Sequence, residues 1–82
     1  MKHYVYNLQS LSLPKQIYIG ITSDLERLLK EHNSGKSVHT NKYRPWKLAG
    51  YVYFNNVSRA KAFERYLKTG SGRAFIQRHF LA

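Results

Sequence analysis

The segments YVY at residues 4–6 and YIG at residues 18–20 decide the fold of this chain. Both are rich in aromatic and β-branched residues, and their side chains alternate between two faces, which is typical of strands. We therefore predict strands over residues 3–8 and 17–21. The connection between them is short and contains Pro14, which disfavours a central strand, so the two strands should form an antiparallel hairpin.

Helices and one further strand are predicted for the rest of the chain. Ser23 and Glu26 have the Ser-x-x-Glu spacing of a capping box, so a helix should start at Ser23 and end near Gly35. Three elements follow: a strand over residues 48–54, a helix capped by Ser58 that runs to about residue 68, and a helix over about residues 73–80 after a break at residues 70–72. The order β-β-α-β-α-α predicts an α/β fold of the α+β type, with helices against a three-stranded antiparallel sheet.

Composition and charge limit the classes of function. A chain of 82 residues predicts one domain over residues 1–82, and the absence of cysteine excludes disulfides and thiolate metal sites. Fourteen Lys and Arg against four acids give a net charge of +10, which attracts polyanions such as nucleic acids. No apolar run has the length of a membrane span and no signal-peptide pattern is present, so we expect a cytoplasmic protein without a membrane partner.

The motifs together resemble the signature of the GIY-YIG nuclease superfamily. YIG matches to the letter, whereas YVY keeps only the tyrosine of the Gly-Ile-Tyr pattern. The resemblance covers nearly the whole chain, including the segments DLER (24–27), EHNSG (31–35), RPW (44–46) and a later glutamate, Glu64. The chain looks most like small stand-alone members related to the N-terminal nuclease domain of the excision-repair incision subunit.

The resemblance implies roles for four side chains in phosphodiester hydrolysis. Tyr6 would activate or orient the attacking water and Tyr18 would position water or phosphate; the alternative is that both are ordinary sheet residues. His32 would lie beside the active site, or else be a packed core histidine. Glu64 would bind one Mg²⁺ or Mn²⁺ ion, since hard cations prefer one or two carboxylates with water and phosphate oxygens. A salt bridge to Lys61, Arg65 or Lys68 is the alternative for Glu64.

One position departs from the family pattern. The catalytic arginine of the family usually lies two residues after the glutamate of the first helix, and here that position is Leu28. Arg27 precedes it and, at about 100° per residue, should point to solvent. Three accounts stay open: a local rotation that brings the catalytic role to Arg27, a substitute such as Arg44, Lys68 or Arg73, or a protein that binds nucleic acid and cuts it poorly or not at all.

Basic residues are the predicted nucleic-acid contacts. They lie in a polar loop over residues 36–47 and towards the C-terminus: Lys36, Lys42, Arg44, Lys68 and Arg73. A solvated basic surface is the alternative, and Trp46 of this loop is expected to anchor the core. The predicted function is a Mg²⁺-dependent endonuclease acting on DNA, with RNA also open and DNA repair as its setting. The alternative is a non-catalytic nucleic-acid-binding module on the same fold. A homodimer and partner-directed targeting are both compatible with the sequence.

Overall fold

The structure, a computed structural model, describes residues 2–81. The elements run along the chain in this order: β1 (His3–Ser10), β2 (Ile17–Thr22), α1 (Leu25–Asn33), a 3-10 turn (Asn41–Tyr43), β3 (Trp46–Phe54), α2 (Val57–Leu67) and α3 (Gly70–His79). This order, with an antiparallel sheet, confirms the predicted α+β fold. Within residues 2–81, no helix combines the length and apolar character that a bilayer crossing requires.

Strand β1 lies in the middle of the sheet and is antiparallel to both of its neighbours, in the order β2-β1-β3. The register places Tyr6 opposite Gly20 of β2 and opposite Tyr51 of β3. Because β2 is an edge strand, Tyr18 and Gly20 lie at an open edge of the sheet, directly beside Tyr6.

The sheet has a hydrophobic cluster on each face, because successive side chains of a strand point to opposite faces. On one face, Val5 packs with residues of α2 and α3: Ala60, Leu67 and Ile76. On the other face, Tyr6 and Leu8 pack with Leu28 of α1 and with Trp46. Trp46 is buried and its indole N–H donates to the Thr40 carbonyl at 2.9 Å, which confirms its predicted role in the core.

The first two helices are capped by residues other than the predicted serines. The Asp24 carboxylate, not Ser23, accepts from the Arg27 amide at 3.1 Å and caps α1. The Asn56 side chain, not Ser58, caps α2 in the same way. Asp and Asn are as good N-caps as Ser, and both have the extended backbone that a cap requires. Ser23 and Asp24 lie so close in sequence that N-cap propensity does not decide between them. The same holds for Asn56 and Ser58.

Helix α3 begins earlier than predicted, at Gly70, so residues 70–72 form its first turn instead of a break. The Thr69 hydroxyl caps it by accepting from the Gly72 amide at 3.2 Å. Gly72 packs directly on the end of α2, where a Cβ would collide with the Tyr66 carbonyl oxygen and the Leu67 backbone. Glycine at this position therefore lets the two helices meet closely.

The central strand pair is longer than predicted, because β1 extends to Ser10 and β3 begins at Trp46, opposite Ser10. The Asn33 side chain at the end of α1 accepts from the Trp46 amide at 2.6 Å and donates to its carbonyl at 3.0 Å. This long-range pair of bonds holds the start of β3, and no local pattern predicts it. Gly35, which follows α1, has a φ of 83°, as expected for the residue after a helix.

Two buried polar side chains of β1 differ in their hydrogen bonding. Asn7 is fully buried, and neither its amide nitrogen nor its oxygen has a partner among the described residues. Ser10 is equally buried, but its hydroxyl donates to the Tyr43 carbonyl at 2.6 Å and accepts from the Leu13 amide at 3.0 Å. Burial of an unpaired polar group lowers stability, whereas a paired one contributes to it.

We expect Asn7→Leu, which keeps the number of side-chain heavy atoms, to raise the free energy of unfolding by about 1–3 kcal/mol, the usual penalty of an unsatisfied buried group. Ser10→Ala is the matched control and should lower that free energy, because it leaves the Leu13 amide without its bond. Urea denaturation of both variants measures the two changes. A less stable Asn7→Leu variant would show that the Asn7 amide is paired in solution.

Candidate active site

A pocket of about 560 Å³ lies along the edge strand β2, where side chains from both faces of the sheet meet. Residues 17–21 of β2 line it on one side, and the polar and ionisable side chains of its lining are Tyr6, Tyr18, Glu64, Lys68 and Arg73. These five residues were all predicted as site residues from the sequence. They come from β1, β2, α2, the link after α2, and α3, so only the tertiary fold brings them together.

Gly20 allows Tyr6 to reach this pocket from the middle strand. The Tyr6 ring lies across Gly20, and a Cβ there would collide with the Tyr6 hydroxyl. The Tyr6 and Tyr18 ring centroids are 6.4 Å apart, with Tyr6 only 5% exposed and Tyr18 36% exposed. The sequence analysis did not assign a role to Gly20, although an isolated glycine in a strand is a known signal of close backbone approach.

His32 lies beside both tyrosines. Its ring centroid is 5.1 Å from that of Tyr18 and 6.4 Å from that of Tyr6. Its Nδ1 is hydrogen bonded to the hydroxyl of Thr40, a buried residue that the sequence analysis missed, at 2.7 Å. Burial lowers the pKa of His32, partly offset by the Glu31 carboxylate, so the imidazole is neutral at pH 7. The position beside the tyrosines agrees with the resemblance; the catalytic role stays a prediction.

Tyr6 holds its proton tightly. Burial raises the pKa of its phenol far above the ordinary value, and the charges of Tyr18, Glu64 and Glu31 raise it further. At neutral pH the hydroxyl of Tyr6 is therefore protonated and acts as a hydrogen-bonding group. A phenolate would require a cation that offsets the Glu64 charge.

Among residues 2–81, Glu64 is the only carboxylate that lines the pocket, and its side chain is 24% exposed. Lys68, one turn later, places its Nζ 3.4 Å from Oε2 of Glu64, so the salt bridge considered from the sequence is present and its partner is Lys68. Within residues 2–81, no three His, Cys, Asp or Glu side chains converge as a metal cage would require. A lone carboxylate in an open pocket suits Mg²⁺ or Mn²⁺, which take their remaining ligands from water and phosphate.

Arg27 lies outside the pocket. It is on the exposed side of α1, where its Nε is 3.5 Å from a Glu31 carboxylate oxygen. The next residue, Leu28, is 6% exposed and packs in the same cluster as Tyr6. The helix is regular here, so the local rotation that would bring Arg27 to the tyrosines does not occur.

The basic residues between α1 and β3 also lie outside the pocket lining. Lys36 and Lys42 are exposed, and the Lys42 Nζ lies 5.1 Å from the centroid of the Tyr43 ring. The Arg44 guanidinium packs against Gly35, beside the end of α1. Their role as phosphate contacts stays a prediction.

Known proteins resemble this chain in sequence and in fold. The model of the GIY-YIG catalytic domain matches residues 2–77. A UPF0213 protein of Lactococcus lactis subsp. cremoris (strain SK11) is 40% identical over 67 residues, covering 80% of this chain and 66% of the relative. The structure-specific endonuclease subunit SLX1 of Debaryomyces hansenii is 38% identical over 71 residues, covering 78% of this chain and 20% of the relative. The chain thus spans just under two-thirds of the lactococcal protein and a fifth of the yeast protein.

A solved structure shares the fold. The solution NMR structure of a UPF0213 protein from Bacillus halodurans superimposes with a TM-score of 0.59 at 27% sequence identity, and the match covers 98% of this chain and 87% of that one. The family match spans most of the chain and includes both tyrosine segments and Glu64. The chain therefore belongs to the GIY-YIG catalytic domain family.

Proposed function

We propose that this domain is a metal-dependent endonuclease that hydrolyses phosphodiester bonds in DNA. The observation that carries the proposal is the convergence of Tyr6, Tyr18 and Glu64 in one pocket, from separate elements of the fold. Family membership and the similarity to an endonuclease subunit support a nuclease-type activity. The net charge of +10 supports a polyanionic substrate, and RNA stays open beside DNA.

Glu64 binds the divalent cation in this proposal. When bound, Mg²⁺ or Mn²⁺ neutralises charge on the phosphate and on the leaving oxygen. Lys68 pairs with the Glu64 carboxylate until then, and its ammonium is easily displaced because an exposed ion pair contributes at most about 1 kcal/mol. One carboxylate is therefore sufficient, since water and the substrate provide the other ligands.

In this proposal, the two tyrosines position and orient the attacking water. Tyr18 is partly exposed at the edge of the sheet and positions the water or the phosphate. Tyr6 is buried and protonated, so it orients the water through its hydroxyl and becomes a base only when the charge of Glu64 is offset. His32, neutral and held by Thr40, supports the ring of Tyr18.

A second candidate function is a nucleic-acid-binding module that does not cut. The observation in its favour is Leu28, which is buried among apolar side chains and leaves α1 without an inward-facing guanidinium. The basic character of the chain fits this function as well as it fits a nuclease. Cleavage measurements separate the two candidates.

We expect the purified protein to nick supercoiled plasmid DNA in Mg²⁺ or Mn²⁺, and Glu64→Ala to lower the rate by at least about 10²-fold, as for other preorganised charge-stabilising groups. Glu26→Ala is the matched control, because it removes an equal charge from an exposed position on α1 that does not line this pocket. Salt-sensitive DNA binding without nicking by the wild-type protein would support the binding module. Nicking by Glu64→Ala at the wild-type rate would contradict the proposal that Glu64 binds the metal.

We expect Tyr6→Phe to slow nicking by about 10²-fold and to remove a loss of stability at alkaline pH. The pKa of Tyr6 is raised by folding, so the unfolded chain loses this proton first, and the free energy of unfolding falls as pH rises above about 10. Phenylalanine has no ionisable hydroxyl, so the variant lacks this loss of stability. Urea denaturation between pH 9 and 11 should show the variant gaining stability relative to the wild type, and parallel curves would contradict the burial of this hydroxyl.

A further inference from the structure

Beside the divalent cation, the proposed reaction would gain from a cationic side chain on the non-bridging oxygens of the scissile phosphate, and the inward face of α1 does not provide one. Leu28 occupies the position where the family pattern has its arginine, and its side chain is buried in the hydrophobic cluster that contains Tyr6. Arg27 is paired with Glu31 on the exposed side of the helix. The group must therefore come from another part of the pocket.

Among the described residues, two basic side chains line the pocket, and they differ in their ion pairing. Lys68 is paired with Glu64 at 3.4 Å. Arg73 is exposed, and no carboxylate within residues 2–81 lies within ion-pair distance of it, because the two ion pairs of that part of the chain are Arg27–Glu31 and Lys68–Glu64. Within residues 2–81, the guanidinium of Arg73 therefore has no carboxylate partner and can take a ligand from the pocket.

The position of Arg73 relative to Glu64 is set by the junction of α2 and α3. Only two residues, Lys68 and Thr69, connect the helices, and Thr69 caps α3. Gly72 packs on the backbone at the end of α2, and the Arg73 amide donates to the Thr69 carbonyl at 2.9 Å in the first turn. Glu64, the candidate metal ligand, and Arg73 thus belong to one closely packed unit.

We propose that Arg73 is the phosphate-binding arginine of this site, supplied by α3 in place of the residue missing at Leu28; this inference rests on the proposed function. A guanidinium presents two parallel N–H groups to two oxygens of one phosphate, which a lysine ammonium cannot do. Arg73 binds the non-bridging oxygens of the phosphate, while Glu64 serves the cation. Lys68 contributes a point charge after its release from Glu64.

Nicking assays of Arg73→Gln and Arg73→Lys test whether Arg73 contributes to the rate of cleavage. We expect Arg73→Gln to lower the rate by about 10²–10³-fold, the usual loss for one preorganised donor, and Arg73→Lys to recover only part of it. Arg65→Gln is the control, because it removes the same charge from an exposed position of α2 outside the pocket lining. Equal, small effects of Arg73→Gln and Arg65→Gln would overturn the proposal and leave the endonuclease function intact.

Titration with inorganic phosphate, without metal, tests the binding part separately from activity. In protein labelled with ¹⁵N-arginine, the side-chain Nε–H signal of Arg73 should shift in a saturable way, and more than the signal of Arg65. If the wild-type protein does not nick DNA but Arg73 shows this shift, the endonuclease proposal fails and the phosphate site stands. If Arg73 shifts no more than Arg65, the phosphate site is overturned whatever the nicking result.

Discussion

The passage of the Tyr6 ring across Gly20 is the contact on which the site depends. A side chain on the middle strand of a three-stranded sheet would ordinarily be hidden from a pocket at the edge. Because Gly20 has no Cβ, the ring fits over the edge strand and its hydroxyl reaches the pocket. The same contact buries the phenol, and burial is the largest cause of its raised pKa. The position of the Tyr6 hydroxyl and its protonation thus both follow from the absence of a side chain at Gly20.

A second close approach, at Gly72, has a comparable effect on the other side of the pocket. It lets α3 pack against the end of α2, and the cluster of Leu67 and Ile76 completes that contact. The carboxylate and the two basic groups of the pocket come from this helix pair, whereas the tyrosines come from the hairpin. The pocket therefore lies between the hairpin and the helix pair, and a glycine permits a close approach in each: Gly20 meets the Tyr6 side chain, and Gly72 meets the backbone at the end of α2.

Local patterns predicted the fold well, because alternation over residues 3–8 and 17–21 marks strands regardless of their surroundings. The helix starts were wrong where two good caps compete, as with Asp24 and Ser23. The early start of α3 was missed because Gly70 and Gly72 disfavour a helix. The tight contact of Gly72 with the Tyr66 carbonyl oxygen, which requires a glycine there, is visible only in three dimensions. Among the predicted basic residues, sequence could not separate Arg73, which lines the pocket, from Arg44, which does not.

The charges of the pocket are compatible with the proposed reaction, although the inward-facing residue of α1 is Leu28 instead of an arginine. Glu64 contributes one negative charge, Lys68 and Arg73 contribute two positive charges, and Tyr6 is neutral, so the free pocket is positive by one unit. Under the proposed function, that balance would favour entry of a phosphodiester before a divalent cation, because the cation would meet less repulsion once the phosphate is in place and would gain oxygen ligands from it. By reciprocity, the cation also strengthens substrate binding. In our proposal, Arg73 of α3 takes the place of an inward-facing arginine on α1 and preserves this balance, while Leu28 packs in the cluster that contains Tyr6.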